Sequence, residues 1–96
     1  MRYTLVIYDI SDDNLRLKVS ETCKDFGLAR IQKSAFLGPQ TSSRRRELIA
    51  RLRRILVNGG PRDNVQVFEL EPVEVRSRMV IGSFSLVEEE GLVIYV

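Results

Sequence analysis

The chain of 96 residues is 44% hydrophobic and 29% charged, and its net charge is only +2. This composition predicts a single domain over residues 1–96 with a modest core. The chain has no histidine and one cysteine, which excludes Ser-His and Cys-His catalysis, histidine-bound zinc and an internal disulfide, so a bound metal would be a hard cation held by oxygen, magnesium or manganese.

The run from Tyr3 to Asp9 is built of β-branched, aromatic and aliphatic residues until it meets a carboxylate, which predicts a strand. Both of its alternating faces are mostly apolar, so we expect both to be covered. Asp9 ends the strand on the face of Leu5 and Ile7. A carboxylate there needs water, a hydrogen-bond donor or a metal. It is either a metal ligand or a strand-end group that accepts backbone N–H bonds.

Residues 11–13 predict a turn that caps a helix over residues 14–26, in which Cys23 belongs to the apolar stripe. Gly27 is a plausible end of this helix. Residues 28–39 are extended and form either one bent strand or the two strands of a hairpin. Thr41, Ser42 and Ser43 are candidate caps for the next helix.

Residues 44–57 give the clearest helical pattern, with Leu48 and Leu52 in its apolar stripe and arginines over the opposite half. Residues 64–70 predict a strand with apolar groups on both faces. Residues 73–78 form a turn or a short helix, and residues 79–82 could be one more strand. We expect residues 88–91 to be an acidic, solvated loop and residues 92–96 to be a terminal strand.

This order predicts an α+β, ferredoxin-like βαββαβ sandwich with an extra C-terminal strand and two helices on one face of an antiparallel sheet. Two helices cover only one face of such a sheet. We therefore expect a homodimer, in which a second copy covers the other face around a two-fold axis. The strand at residues 92–96 is free to pair with a partner's sheet edge or within its own chain.

No apolar run approaches the ~20 residues of a membrane span, and the start of the chain does not have the pattern of a signal peptide. We therefore expect a cytoplasmic protein that has no membrane partner. Arginine supplies twelve of the 15 cationic side chains, and its planar fork suits bidentate phosphate contacts. A generally arginine-rich surface is the alternative explanation of that bias.

The run YTLVIYDISDDNLRLKV, followed by FGLARIQKSAFLG and an arginine-rich helix, resembles the small CRISPR-associated adaptation proteins of the Cas2 (Cas-two) family. The resemblance covers nearly the whole chain in order and length. It implies a ferredoxin-like homodimer that works in spacer acquisition with a separate integrase subunit. It also implies metal-dependent endonuclease activity on RNA or double-stranded DNA.

The resemblance also implies site residues. The family's metal-binding carboxylate matches Asp9, and the basic residue of the first helix matches Arg16, with Lys18 as a looser match. The remaining matches are Tyr8, Arg30, Ser34 and Phe36. Ala35 is a departure, because a larger aliphatic residue is usual there. Packing is the alternative role for the two aromatic side chains.

One carboxylate holds Mg²⁺ poorly, because the ion takes one or two carboxylates together with waters and phosphate oxygens. A two-fold dimer would bring a second Asp9 close enough to share the ion. Arginines could then clamp the phosphate charge. The residues predicted to contact nucleic acid are Arg16, Lys18, Arg30, Arg44, Arg45, Arg46, Arg51, Arg53 and Arg54, and a solvated helix face is the alternative for those at 44–54.

Three functions follow. The first is a Mg²⁺-dependent phosphodiesterase acting on RNA or DNA, with Mn²⁺ as a second possible cofactor and Asp9 as the ligand. The second is a non-catalytic dimeric scaffold that grips duplex DNA by its phosphates and docks the integrase. The third is a toxin-like ribonuclease or another RNA-binding domain outside any CRISPR system.

Overall fold

The computed structural model describes residues 1–82, 86–89 and 92–95. Its elements in chain order are β1 (Arg2–Asp9), α1 (Asp13–Asp25), β2 (Ala29–Gln32), β3 (Ala35–Gln40), α2 (Ser42–Leu56), β4 (Asn64–Leu70), α3 (Pro72–Arg76), β5 (Leu86–Glu89) and β6 (Leu92–Tyr95). Among these residues, no helix combines the length and the apolar character needed to cross a membrane.

The main sheet has the strand order β2-β3-β1-β4, and all of its neighbouring strands are antiparallel. Strand β1 is central, with Val6 opposite Phe36 of β3 on one side and Val67 of β4 on the other. This topology confirms the predicted α+β, ferredoxin-like architecture. The extended stretch at 28–39 is a hairpin of two strands, whose register shifts between Arg30 and Gln32.

Helices α1 and α2 cover the sheet face that carries Thr4, Val6 and Tyr8, called here the helix face. Its apolar side chains pack with residues such as Val19 of α1 and Leu48 of α2, both completely buried. The predicted caps are present at both helices. The Asp12 carboxylate accepts the backbone N–H of Leu15 at 2.9 Å, and Thr41 Oγ1 accepts that of Arg44 at 3.2 Å.

Cys23 belongs to this core, as its position in the apolar stripe predicted. Burial raises the pKa of its thiol to about 12, against the smaller opposing effect of Arg30. The side chain therefore stays a neutral thiol at physiological pH and is not a nucleophile.

The opposite sheet face, called here the open face, carries Tyr3, Leu5 and Ile7. Short helix α3 covers part of it, because Val75 packs against buried Leu37 with half-buried side chains around them. Strand β4 has the apolar groups on both faces that its sequence predicts, with Val67 on the helix face and Phe68 on the open face. It has no fully buried residue, since it lies at the sheet edge. The second copy expected on the open face stays a prediction.

The C-terminal part corrects two predictions. Residues 79–82 form no strand: Met79, Val80 and Ile81 are exposed, and no strand pairs with them among the described residues. Glu88 and Glu89 lie in a strand rather than in a solvated loop, because they are paired with Val93 and Leu92 of β6. Residues 90 and 91 fall outside the described residues. Residues 92–95 of the strand predicted at 92–96 form β6, residue 96 lies outside the described residues, and pairing across a dimer stays a prediction.

Candidate functional site

Asp9 ends strand β1 on the open face, in line with Leu5 and Ile7, and it is exposed to solvent. Its register partner is Asn64, the first residue of β4. Within residues 1–82 its carboxylate makes no hydrogen bond and no ion pair. Among those residues, no backbone N–H group donates to Asp9, as the alternative interpretation would require. An exposed anionic oxygen pair remains, which is a donor type that suits a hard cation.

A second feature lies at the same end of β1 but on the helix face. An open cleft of about 480 Å³ separates the first half of α1 from the turn between β2 and β3. Its lining residues are Tyr8, Asp13, Arg16, Leu17, Ser20, Arg30, Lys33 and Ser34. Three of these side chains are cationic and one is anionic. We call this feature the cation cleft, and it suits an anion such as a phosphate.

Arg30 is held in place inside the cation cleft. Its guanidinium lies 5.0 Å from the centre of the Phe36 ring and donates to the Lys33 carbonyl at 2.8 Å. The Tyr8 hydroxyl donates to the same carbonyl at 3.3 Å. Because one ring and one carbonyl fix the guanidinium, Arg30 can meet a phosphate with little loss of side-chain entropy.

The two aromatic site candidates stack on each other, with ring centres 6.4 Å apart. Phe36 is completely buried, so it cannot touch a nucleotide and acts through its contact with Arg30. Burial raises the pKa of the Tyr8 hydroxyl, against smaller lowering effects of Arg30 and Arg16. Tyr8 therefore stays protonated at neutral pH and cannot serve as a general base.

Arg16 connects the first turn of α1 to the end of β1. One of its guanidinium nitrogens donates to the Ile10 carbonyl at 3.2 Å, and another pairs with Asp13. Lys18 is also exposed on α1 but does not line the cleft. The structure thus gathers Tyr8, Arg16, Arg30 and Ser34 in one place and leaves Asp9 on the other side of the same strand.

Arg45 corrects the predicted set of phosphate contacts, because it is only 8% exposed. Its guanidinium donates to Thr4 Oγ1 at 2.8 Å, to Glu69 Oε2 at 2.7 Å and to the Gln40 carbonyl at 3.2 Å. The contacts with Thr4 and Gln40 are buried and the contact with Glu69 is partly buried, so Arg45 is a structural residue. The sequence held a signal for this, since Arg45 precedes Leu48 and Leu52 at the helical spacing of the apolar stripe.

The other arginines of α2 are exposed. Arg44 and Arg51 lie over the Phe26 ring, at 4.2 and 5.5 Å from its centre, and Arg44 also pairs with Glu47 at 3.0 Å. Arg53 lines a groove between α2 and β4 instead. Arg46 and Arg54 are exposed as well. We call the five exposed arginines, which lie on more than one side of α2, the basic surface of α2, and such side chains suit nonspecific contacts with a phosphate backbone.

Two residues near the site were missed by sequence reasoning. Lys33 lines the cation cleft. Its position in the sequence between the predicted site residues Arg30 and Ser34 could have indicated this. Asp63 had no such signal, because its partner lies 52 residues away. The Asp63 carboxylate accepts the Ser11 backbone N–H at 3.0 Å, the Ser11 hydroxyl at 3.2 Å and the Gly60 N–H at 2.8 Å. It thereby ties the turn after β1 to the turn before β4.

These bonds predict a pH effect at Asp63. The N–H of Gly60, then that of Ser11, lower the pKa of its carboxyl group. A carboxyl group whose pKa is lower in the folded state than in the unfolded state, where it is about 3.9, adds to the free energy of unfolding at pH values above about 3.9. This contribution is lost as the pH falls through the pKa of the folded state. We expect Asp63→Asn to unfold more easily at pH 7 and to approach wild type at the acidic end.

Denaturant unfolding at a series of pH values measures this difference. Asp25→Asn, at the exposed end of α1 and outside this cluster, is the control. The free energies of unfolding of Asp63→Asn and wild type are compared from pH 7 down through the acid range. If their difference stays constant, the hydrogen bonds of the charged Asp63 carboxylate do not cause it.

The described residues contain no group of three or more His, Cys, Asp or Glu side chains that could hold a metal ion. Among the described residues of a single chain, Asp9 therefore belongs to no cluster of three such side chains. Any cation at this end of the sheet needs further oxygen ligands from water, from a substrate phosphate, from another side chain or from a second copy.

Comparisons with known proteins point in one direction. The family model described as "CRISPR associated protein Cas2" matches residues 1–77. A "CRISPR-associated endoribonuclease Cas2" of Korarchaeum cryptofilum is 50% identical over 78 residues, which are 81% of this chain and 82% of that protein. Another of the same description, from Desulforudis audaxviator, is 57% identical over 53 residues, which are 55% of this chain and 50% of that one.

Two further likenesses concern structure and gene arrangement. A solved structure described as "Crystal structure of cas2" has a TM-score of 0.62 and 28% sequence identity, and the match covers 72% of this chain and 74% of that one. A "CRISPR-associated endonuclease Cas1/endonuclease Cas2 fusion" of Thermoproteus tenax is 35% identical over 69 residues, which are 72% of this chain and 25% of the fusion.

Proposed function

This chain belongs to the Cas2 family of CRISPR-associated proteins, and we propose that it is an endoribonuclease of CRISPR adaptation that cleaves phosphodiesters with the help of a divalent cation. The name of its Korarchaeum cryptofilum relative, an endoribonuclease, supports the ribonuclease activity. Double-stranded DNA is the second candidate substrate. The observation that carries the proposal is the exposed Asp9 carboxylate, which has no partner within residues 1–82.

Mg²⁺ is the proposed cofactor, and Mn²⁺ can replace it because both are hard cations that prefer oxygen ligands. Asp9 is exposed, its two carboxylate oxygens have no partner within residues 1–82, and it fits that chemistry. Once bound, the cation would polarise a phosphate and lower the pKa of a water molecule. In the proposed homodimer, Asp9 of a second copy adds a further carboxylate to the same cation.

The cation cleft is the proposed contact for the substrate backbone. Arg16, Arg30 and Lys33 line it together, and charge-assisted bonds to phosphate oxygens are about twice as strong as neutral ones. The cleft and Asp9 lie on opposite sides of β1 at its C-terminal end. A bound strand would therefore place different nucleotides at the two positions. Since Tyr8 is protonated, a carboxylate would have to accept the proton of the attacking water, whose pKa a bound cation would lower.

A non-catalytic scaffold is the second candidate function, and the basic surface of α2 favours it. Arg44, Arg46, Arg51, Arg53 and Arg54 are exposed. Such a protein would grip duplex DNA by its phosphates and dock a Cas1 integrase, and the Cas1/Cas2 fusion of Thermoproteus tenax supports that partnership. In this role Asp9 is dispensable. The same comparisons favour a CRISPR role over a toxin-like ribonuclease.

Metal removal tests the proposed function. We expect labelled single-stranded RNA to be cleaved in the presence of Mg²⁺ and to stay intact after EDTA treatment, because a single carboxylate cannot polarise a phosphate without the cation. Labelled double-stranded DNA is assayed in parallel. Cleavage that persists in EDTA would contradict metal dependence. DNA binding without cleavage of either substrate would support the scaffold instead.

A further inference from the structure

Asn64 lies directly opposite Asp9 in the antiparallel pair of β1 and β4. Residues in direct register project from the same face of a sheet, with Cβ atoms about 4.5–5.5 Å apart. Both side chains are exposed, and Asn64 also lines the end of the groove between α2 and β4. The structure therefore sets a carboxamide beside the carboxylate that the proposed function uses.

The hydrogen bonding of Asn64 fixes the orientation of its amide. Its Nδ2 atom donates to the Arg62 carbonyl at 3.3 Å. A carbonyl can only accept, so the NH₂ group faces Arg62 and the Oδ1 atom is turned to the other side. No donor among residues 1–82 bonds to this oxygen. Asn64 thus presents an unused carbonyl oxygen, which is a ligand type that hard divalent cations accept.

Asp63 holds the surrounding backbone in place. Its bonds to Ser11 and Gly60 join the turn that follows Asp9 to the turn that precedes Asn64. The two strand ends that carry the oxygen donors are therefore tied together before any cation arrives. Such support lowers the entropy that a site loses when it binds its ligand.

We propose that Asn64 is a second metal ligand, and that its Oδ1 atom shares with the Asp9 carboxylate the divalent cation of the proposed function, on which this inference rests. One chain then supplies two oxygen ligands from two strands. The described residues hold no cluster of three acidic, histidine or cysteine side chains, so Asp9 needs a further protein ligand, and Asn64 supplies it. Water and substrate phosphate complete the coordination.

Binding of Mn²⁺ alone, followed by electron paramagnetic resonance of the free ion, tests the proposal without relying on activity. Asn64→Ala should weaken Mn²⁺ binding by about tenfold or more, the scale of effect seen when metal sites lose a supporting group. Asn64→Asp should bind Mn²⁺ at least as tightly as wild type, because a carboxylate is the stronger ligand for a hard cation. Asn58→Ala, which removes an exposed amide from the nearby turn, should bind like wild type.

The variants separate this proposal from the proposed function. If Asn64→Ala binds Mn²⁺ like wild type while Asp9→Asn does not, Asn64 is no ligand and the Asp9 site survives. If Asp9→Asn also binds like wild type, or wild type binds no Mn²⁺, the metal site itself is overturned. An equal loss in Asn64→Ala and Asn64→Asp would overturn the ligand role as well, because only packing at residue 64 would then matter.

Discussion

Asp9→Asn is expected to lower Mg²⁺-dependent RNA cleavage by about a hundredfold or more, the upper end of what altered metal-site residues cost. The substitution keeps the size of the side chain and removes its charge. Asp9 is exposed and makes no internal bond within residues 1–82, so neither the fold nor its stability should depend on the carboxylate. Initial rates on labelled RNA, measured across a range of Mg²⁺ concentrations, give the size of the effect.

The control for this experiment is Asp25→Asn, which removes an exposed carboxylate from the end of α1. It should cleave like wild type. Without added divalent cation, thermal unfolding and sedimentation of both variants should match wild type, since the Asp9 carboxylate makes no bond within residues 1–82. Undiminished cleavage by Asp9→Asn would point to a contaminating nuclease or to another site and would leave the scaffold function in place.

The main sheet and both long helices could be predicted from the sequence because their patterns are local. The apolar stripe of α2 and the strand pattern of β1 each belong to one continuous segment. Residues 79–82 have the same apolar character as a strand but form none. A strand needs the edge of a neighbouring strand to complete its backbone hydrogen bonds. The sequence of a segment does not show whether the fold supplies such an edge. Glu88 and Glu89 show the converse, since pairing with β6 places acidic residues in a strand.

The part of the candidate site that could be predicted is the part that depends only on the position of a residue within one strand. Asp9 was placed on the face of Leu5 and Ile7 by alternation alone, and it lies there. The roles of Phe36, Arg45 and Asp63 depend on contacts between distant segments. Burial of Phe36 beneath Arg30 needs the β2–β3 hairpin to close, and the Asp63 bonds join turns 52 residues apart. No local pattern encodes those distances.

Arg45→Met and Arg46→Met form the second pair of variants with a large expected effect. Removing the Arg45 guanidinium leaves the buried Thr4 hydroxyl and Gln40 carbonyl without their donor. Glu69 is 40% exposed and also pairs with Arg2, which reduces the loss below that of a fully buried ion pair. We expect the free energy of unfolding to fall by about 2–4 kcal/mol for Arg45→Met, as measured by denaturant unfolding.

Arg46→Met should behave in the opposite way, because Arg46 is exposed at the next position of the same helix. Its free energy of unfolding should stay within about 0.5 kcal/mol of the wild-type value.

If Arg46 neutralises a DNA phosphate, the slope of log K for DNA binding against log salt concentration should become shallower by about 0.9 when its charge is removed. Arg45→Met, measured at a temperature where it is folded, should keep the wild-type slope. A shallower slope for Arg45→Met would mean that its guanidinium leaves the core to reach DNA. An unchanged slope for Arg46→Met would remove that residue from the DNA-binding surface, while its neighbours at 44, 51, 53 and 54 could be tested in the same assay.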